Sequence, residues 1–279
     1  MADATELNIR RKAPFVDAVQ RWRGLPLPSW VEINPTELCG RRCPFCPRID
    51  PAVYPNQPLH FAIDLAKDIA SQLRGVNYQG SVALCGYGEP LLHPDIGALV
   101  DAFSDFHVEL VTNGDQLDVN MIQVLVAAGC DFINVSLYDG PHQVEKFNSM
   151  FADAGFDGYI LRDRWQPEEQ NFGLSYLTNR AGTINVGKQA EVKPDRRCLY
   201  PSYSMMLDCN CDVLLCPQDR HKRIRFGNAR DGLMDVWFGR ALHKRRIALT
   251  NGRAGLNPCG DCNACGDLHG AEHAKAWQR

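Results

Sequence analysis

The sequence predicts a parallel α/β sheet or barrel, and three observations carry that expectation. Short strand-like apolar runs alternate with amphipathic helix-like stretches between residues 30 and 137. Each strand-like run ends in glycine or small polar residues. The 279 residues, 45% of them hydrophobic, suffice for one large core, or a large one and a small one.

Taken in order, Trp30-Val31-Glu32-Ile33-Asn34 reads as the first strand, and Ile63 to Leu73 follows with apolar residues at helical spacing. Ser81-Val82-Ala83-Leu84-Cys85 is strand-like and stops at Gly86-Tyr87-Gly88. A helix is expected over Ile96 to Phe103, then a strand at Val108-Glu109-Leu110-Val111 that ends in Thr112-Asn113-Gly114. Val119 to Ala128 is again helical, and Phe132-Ile133-Asn134-Val135-Ser136-Leu137 is a strand stopped by Asp139-Gly140. In parallel α/β folds the reactive groups gather at the carboxyl ends of the strands. The marked Gly, Asn and Ser residues sit at those ends.

Charge and composition exclude several classes. A net charge of -3 leaves no polyelectrolyte footprint for nucleic acid, and the basic runs His221-Lys222-Arg223-Ile224-Arg225 and His243-Lys244-Arg245-Arg246 read as solvated faces. No apolar run approaches a membrane span. The start, Met1-Ala2-Asp3-Ala4-Thr5-Glu6, has no apolar signal segment, so the expected setting is a reducing, oxygen-protected cytoplasm, where disulfides are disfavoured. The 12 cysteines then point to metal.

Cys39, Cys43 and Cys46 form a tight loop after the first strand, in Cys39-Gly40-Arg41-Arg42-Cys43-Pro44-Phe45-Cys46. Three thiolates offered to a four-iron cluster leave one iron open to an outside ligand. Arg41 and Arg42 are expected to favour thiolate over thiol. Structural zinc would want a fourth Cys or His in a paired spacing, and the nearest candidate, His60, lies beyond a Pro-rich stretch.

This cysteine spacing, with an aromatic before the last cysteine, resembles the signature of the radical S-adenosylmethionine (SAM) enzymes. In that family the amino and carboxylate groups of SAM chelate the open iron, and reductive cleavage gives a 5'-deoxyadenosyl radical that abstracts hydrogen from substrate. The resemblance continues from Ser29 to Gly182. Gly86-Tyr87-Gly88-Glu89-Pro90 resembles the family's Gly-Gly-Glu-Pro motif, with Tyr87 in place of a glycine, and implies that this backbone and Glu89 meet the SAM ammonium. Thr112-Asn113-Gly114 resembles the next strand-end element, and Ser136 the serine that meets the ribose. Asn179-Arg180-Ala181-Gly182 resembles a motif whose arginine approaches the SAM carboxylate or the substrate. The resemblance thus implies a partial (β/α)6 TIM-like barrel, with Cys39, Cys43, Cys46 and Arg180 catalytic. Phe45, Gly86, Tyr87, Gly88, Glu89, Pro90, Thr112, Asn113 and Ser136 would bind the cofactor.

A second set of cysteines, Cys198, Cys216 and Cys259-Gly260-Asp261-Cys262-Asn263-Ala264-Cys265, resembles the Twitch form of the SPASM auxiliary-cluster domain. Its expected ligands are Cys198, Cys216, Cys259 and Cys262, with Cys265 an alternative to Cys262. A fully ligated second 4Fe-4S cluster has no iron left for substrate and would carry electrons or hold the fold. Met205-Met206-Leu207-Asp208 and Val213-Leu214-Leu215 are hairpin-like, Phe226-Gly227-Asn228 reads as a turn, and Leu233 to Trp237 as a helix start. Cys209 and Cys211 are expected as unliganded thiols, and Cys85 and Cys130 as small core residues. The division expected is an N-terminal extension over 1–28, the partial barrel over 29–190, and a small α+β auxiliary domain over 191–279.

The auxiliary spacing is similar to that of the radical SAM aminocyclitol dehydrogenases. It implies an oxidoreductase that takes a small polar substrate, a sugar or cyclitol, with SAM and two clusters as cofactors and a flavodoxin- or ferredoxin-type external reductase as partner. Neither nucleic acid nor membrane is expected as a partner. Glu32, Arg180 and Arg196 belong to a pool of groups able to deprotonate or orient hydroxyls. A peptide-modifying maturase shares both cysteine patterns but commonly adds a leader-binding domain, for which about 28 residues are too few. A non-catalytic iron-sulfur carrier would leave the strand-end motifs unexplained.

Overall fold

The computed structural model describes residues 4–175 and 177–278. Helix α1 (Ala4–Val16) leads into a ribbon of β1 (Arg21–Trp22) and β2 (Leu25–Pro26). The main run follows: β3 (Trp30–Ile33), α2 (Ile63–Gly75), β4 (Ser81–Leu84), α3 (Ile96–Asp101), β5 (His107–Thr112), α4 (Val119–Ala127), β6 (Cys130–Leu137), α5 (His142–Ala154) and β7 (Tyr159–Asp163). The C-terminal part holds α6 (Tyr200–Tyr203), β8 (Ser204–Leu207), β9 (Asp212–Leu214), β10 (Arg225–Asn228), α7 (Leu233–Trp237), α8 (Arg240–Thr250) and α9 (Ala271–Trp277).

One 8-stranded sheet runs β10-β9-β8-β3-β4-β5-β6-β7, parallel from β8 through β7 and antiparallel across β8, β9 and β10. Alternation along each strand separates two faces. Val31, Ile33, Val82, Leu84, Val108, Leu110, Ile133 and Val135 point to a core shared with Leu65, Ile69 and Leu73 of α2, Leu99 of α3, Ile122 of α4 and Phe147 of α5. The residues between them, Glu32, Glu109, Asn134 and Ser136, are buried on the opposite face. The sheet therefore has an apolar face under helices and a polar face within the fold.

Three features depart from the sequence expectations. The N-terminal extension is a helix and ribbon docked on the sheet: Arg11 pairs with Glu109, Lys12 Nζ stands 3.5 Å from Glu32 Oε1, and Phe15 stacks on His107 with centroids 4.7 Å apart. Strand β8, from the portion expected as a separate domain, pairs with β3 in the register Trp30↔Ser204 to Ile33↔Leu207, so the auxiliary region shares the barrel's sheet. Phe226-Gly227-Asn228 is strand rather than turn; Gly227, at φ +148, takes up a register shift against β9. The hairpin between β8 and β9 closes without Asp-Gly because Asp208 Oδ1 accepts from the Asn210 and Asp212 amides, at 2.9 and 3.0 Å.

The C-terminal helices are fixed by buried polar contacts. Arg246 lies 3.8 Å from the Trp237 ring and 4.0 Å from that of Trp277, and it donates to the Pro201 and Trp237 carbonyls. His273, wholly buried on α9, shares a 2.8 Å hydrogen bond with Ser29 beside β3. Among the described residues no helix is long and apolar enough to cross a membrane.

Burial lowers the His273 pKa from 6.5 to about 4, so the folded chain refuses a proton that the unfolded chain accepts. Its stabilising effect is complete above pH 6.5 and is lost as pH falls toward 4. The steepest contribution is about 1.4 kcal/mol per pH unit. Melting temperatures across this range should fall with acid, and His273→Gln should flatten the fall; an equal slope in the variant would reject the assignment.

Candidate active site and cluster sites

The loop between β3 and α2 carries Cys39, Cys43 and Cys46, all half-buried. Asn56 clamps it by accepting from the Cys39 amide at 3.1 Å and donating to the Cys39 carbonyl at 2.9 Å. A tight turn joins the Cys46 amide to the Cys43 carbonyl at 2.9 Å. Phe45 anchors the loop against Phe172 and Tyr138, with ring centroids 5.2 and 6.4 Å away. Arg48 ties the loop to its neighbours, donating to Glu37 Oε2 at 2.9 Å and to the Tyr87 carbonyl at 2.6 Å. The three thiols act on one another, and burial pushes Cys39 up and Cys43 up to about 12. Arg41 pulls Cys43 down as expected, and its backbone does so for Cys39, but burial outweighs both, and Asp115 and Asp139 grip the guanidinium. Iron must therefore displace thiol protons to bind here.

The strand-end residues converge beside this loop. Asn34 Oδ1, just past β3, accepts from the Tyr87 amide at 2.9 Å and the Gly88 amide at 3.3 Å. Gly86, at φ +151, brings its Cα so close to Asn34 that a Cβ would stand 2.7 Å from Oδ1. A Cβ on Gly88 would collide with the Thr36 carbonyl. The Tyr87 side chain turns inward, its hydroxyl reaching the Asp219 carbonyl at 3.3 Å and its ring packing 6.0 Å from that of Tyr54. Glu89 accepts from the Leu91 amide (3.1 Å), Thr112 Oγ1 (2.6 Å) and the Asn113 amide (2.7 Å), and burial raises its carboxyl to about 7. Pro90 starts the short turn that presents Leu91. Asn113 Nδ2 is buried with no partner among the described residues, a donor left for a ligand. Ser136, at the end of β6, accepts from Arg162 at 3.3 Å.

Cys198, Cys216, Cys259 and Cys262 line a second site, where burial and the other three thiols push Cys216 well above its usual range. Cys265 lines the same cavity but hydrogen-bonds toward Arg196, which also pairs with Asp267 at 2.8 Å. The loop backbone is held by Arg253, which donates to the Cys262 carbonyl at 2.9 Å and that of Ala264 at 2.7 Å. Gly266 leaves room for Cys198, whose Sγ a Cβ there would strike. Among the described residues no three His, Cys, Asp or Glu side chains gather around a single ion. A four-iron cage asks for less, since each thiolate takes a different iron.

A single segment joins the two sites. Asn179 and Asn263 clasp each other, the Asn179 amide donating to Asn263 Oδ1 at 2.8 Å and the Asn263 amide to Asn179 Oδ1 at 3.3 Å. Arg180, next in sequence at φ +48, looks the other way: Cys46 and Arg220 are among the charges acting on it, and burial lowers it to about 10. Thr178 and Arg180 both donate to Gln218 Oε1, at 2.9 and 3.5 Å.

The family model described as the radical SAM superfamily matches residues 33–150, which span the cysteine loop and every strand end just described as far as β6. That part of the chain is a radical SAM domain. A second model, for an iron-sulfur cluster-binding SPASM domain, matches residues 198–265. Among curated proteins the chain is 24% identical over 252 residues to the S-adenosyl-L-methionine-dependent 2-deoxy-scyllo-inosamine dehydrogenase of Niallia circulans, covering 84% of this chain and 92% of that protein. It is 32% identical over 133 residues to the GTP 3',8-cyclase of Chlorobaculum tepidum, covering 46% and 38%. Among solved structures, BtrN in complex with AdoMet and 2-DOIA matches with a TM-score of 0.70 at 24% identity, over 86% of this chain and 94% of that one. The AdoMet-bound anSMEcpe structure matches with a TM-score of 0.54 at 14% identity, over 80% and 81%. These structures establish the shared fold.

The donor sets fit the cofactors that these two domain models imply: three mutually acting thiols beside glycine-lined backbone and an orphaned Asn113 donor, and four thiols around a second cavity. Sequence reading missed Lys12, which the fold sets against Glu32 and 4.2 Å from the Trp30 ring. It missed Arg220 as well, which donates to the Gly86 carbonyl at 3.0 Å and acts on Cys46. Cys85 is half-buried at the edge of the small cluster of Val16, Trp30, Ala83 and Tyr203, and Glu32, Lys12, Arg11 and Arg220 also act on it. Cys130 is buried in β6; Cys209 lies against Asn34 and Cys211 in the main core, both away from the cysteine ring.

Asn179→Ala should loosen the Cys259–Cys262 loop. Iron analysis after gel filtration should show about half the bound iron lost, with the Cys39 loop still loaded. Full iron retention in the variant would show that the clasp is dispensable.

Proposed function

We propose that this chain is a radical SAM oxidoreductase that oxidises an alcohol of a small polyhydroxylated substrate, a sugar or cyclitol. The observation that carries the reading is the cavity of about 490 Å³ in which the four-thiol ring, Arg162, Arg164, Thr178 and Gln218 share one wall system. The part of it that the second cluster leaves free, beside Arg162, Thr178 and Gln218, is open to a small ligand. The Niallia circulans relative, a dehydrogenase by name, spans nearly the same length and supports the same class. Bound SAM and the two clusters would supply hydrogen abstraction and an electron acceptor; external reduction by a flavodoxin- or ferredoxin-type protein belongs to the same proposal.

The chain's own contribution is placement and a proton path. Cys39, Cys43 and Cys46 hold the first cluster, and Cys198, Cys216, Cys259 and Cys262 the second. Glu89, Asn113 and the Gly86–Gly88 backbone receive the SAM amino acid moiety, Ser136 the ribose, and Phe45 packs the loop behind them. Alcohol oxidation releases one hydroxyl proton. Tyr200 lines the cavity and donates to Glu32 Oε1, with Lys12 Nζ 3.5 Å from the same oxygen, so Glu32 is the buried acceptor at the end of that path.

The test is anaerobic turnover with SAM and reductant, following 5'-deoxyadenosine and carbonyl product. Replacing Cys39, Cys43 and Cys46 by Ala should abolish 5'-deoxyadenosine, whereas Cys259→Ala with Cys262→Ala should spare SAM binding and remove oxidised product. Consumption of SAM only with peptides would overturn the small-substrate reading. Glu32→Gln should lower product formation by about 100-fold and shift its pH profile; an unchanged profile would assign the proton elsewhere.

A further inference from the structure

Tyr138 is the first residue past β6, and it continues the alternation that sets Ser136 on the polar face of the sheet. Its hydroxyl hydrogen-bonds the Cys43 thiol. Two contacts hold the ring in place. It lies 6.4 Å from the Phe45 ring at an interplanar angle of 16°, and the Arg41 guanidinium sits 4.8 Å from its centroid. Arg41 is itself fixed by Asp115 and Asp139, so the ring cannot drift from the cysteine loop without breaking those ion pairs. Cys43 and Tyr138 both pack against the apolar group of Phe45, Phe172 and Leu177. A hydrogen bond in such surroundings is stronger than one in water.

The three sulfurs of the loop meet three kinds of neighbour. Cys39 accepts from the Arg41 backbone amide, Cys46 feels the charges of Arg180 and Arg220, and Cys43 meets a phenol. A phenol donates or accepts, and a thiol does either weakly. A thiolate on iron has no proton left, so once the loop is loaded the tyrosine is the donor. Its sulfur partner carries more negative charge in the reduced cluster than in the oxidised one, and donation to a charged acceptor is the stronger bond. Hydrogen bonds to the sulfurs are among the features that set a cluster's potential.

We propose that Tyr138 is a positioning residue of the first cluster: by donating to Cys43 Sγ it raises the potential at which that cluster takes one electron from a low-potential flavodoxin- or ferredoxin-type donor. The electron enters the cluster and no proton moves, since the hydroxyl keeps its hydrogen in both states. The proposal rests on the reading of Cys39, Cys43 and Cys46 as ligands of a four-iron cluster.

A redox titration followed by EPR on the anaerobically reconstituted full chain compares wild type with Tyr138→Phe, and repeating it with SAM marks the signal that belongs to the first cluster. The variant keeps the ring and loses only the hydroxyl. At the potential where the wild-type cluster is half reduced, the variant's ratio of reduced to oxidised cluster should be about fivefold lower. Pulsed EPR in heavy water should count one exchangeable deuteron fewer near the variant's reduced cluster. An unmoved or raised potential would overturn the proposal. So would a lowered potential with the deuteron count unchanged, which would assign the shift to movement of the loop. If the Phe variant fails to load iron, wild type carrying fluorotyrosine, a stronger donor of nearly the same shape, should be reduced more easily; an unchanged titration there would overturn the proposal as well. Absence of any SAM-sensitive cluster from wild type is a different failure, and it would sink the cluster reading together with the proposal.

Discussion

The fold depends on burying ionisable groups on one face of a parallel sheet. Parallel strands covered on both sides usually read as continuous apolar runs, yet here Glu32 and Glu109 alternate with Val31, Ile33, Val108 and Leu110. Each fully buried Val, Leu or Ile on the apolar face contributes about 1.5–3 kcal/mol, while an unpaired buried charge costs several kcal/mol. The two effects are comparable, so the polar face must be matched charge by charge. Helix α1 does this for the carboxylates, setting Arg11 on Glu109 and Lys12 on Glu32. Its own packing is modest, and its place follows from these ion pairs together with Phe15 on His107 and Trp30.

The same matching explains why residues of the strand-end motifs spend much of their bonding on each other. Asn34 receives two amides of the Gly86–Gly88 turn, Glu89 spans that turn and the end of β5, and Arg48 stitches the cysteine loop to the Tyr87 carbonyl. What remains open after this internal accounting is informative: Asn113 Nδ2 beside Glu89, and the Nε atoms of Arg162, Arg180 and Arg220. Preorganised donors of this kind are what a polar ligand meets in a site already built.

How much of this the sequence discloses depends on whether the cause is local. Strand ends were legible because Gly86, Gly88, Gly114 and Asn113 report turn and close-approach chemistry within a few residues, and their strands lie within one or two residues of the positions read. Strand β7 escaped notice because Arg162 and Asp163 break its apolar pattern. Helix α1 went unread because the partners that place it, Glu109 for Arg11 and Glu32 for Lys12, lie outside its own stretch of chain. The pairing of β8 with β3 is settled by contacts more than 170 residues apart (Trp30 with Ser204, 204 − 30 = 174), which no window along the chain contains. Gly227 reads as a turn residue, and only the register shift against β9 shows that it serves a bulge.

The segment from Leu177 to Gly182 shows how irregular backbone can be fixed as firmly as a strand. Arg180, Ala181 and Gly182 have φ of +48, +52 and +83, three consecutive residues in a region that L side chains rarely occupy. Such a conformation persists when its surroundings over-determine it. Here Asn179 is clasped by Asn263, the Ala181 carbonyl accepts from Arg223 at 2.8 Å, and Gly182 packs beside Asp261. The left-handed turn reverses direction between neighbouring residues, so that Asn179 holds the auxiliary cysteine loop while Arg180 reaches toward Cys46. A helix or strand through these positions would aim the two side chains along one element. The strained turn lets one short segment set the position of both sites at once.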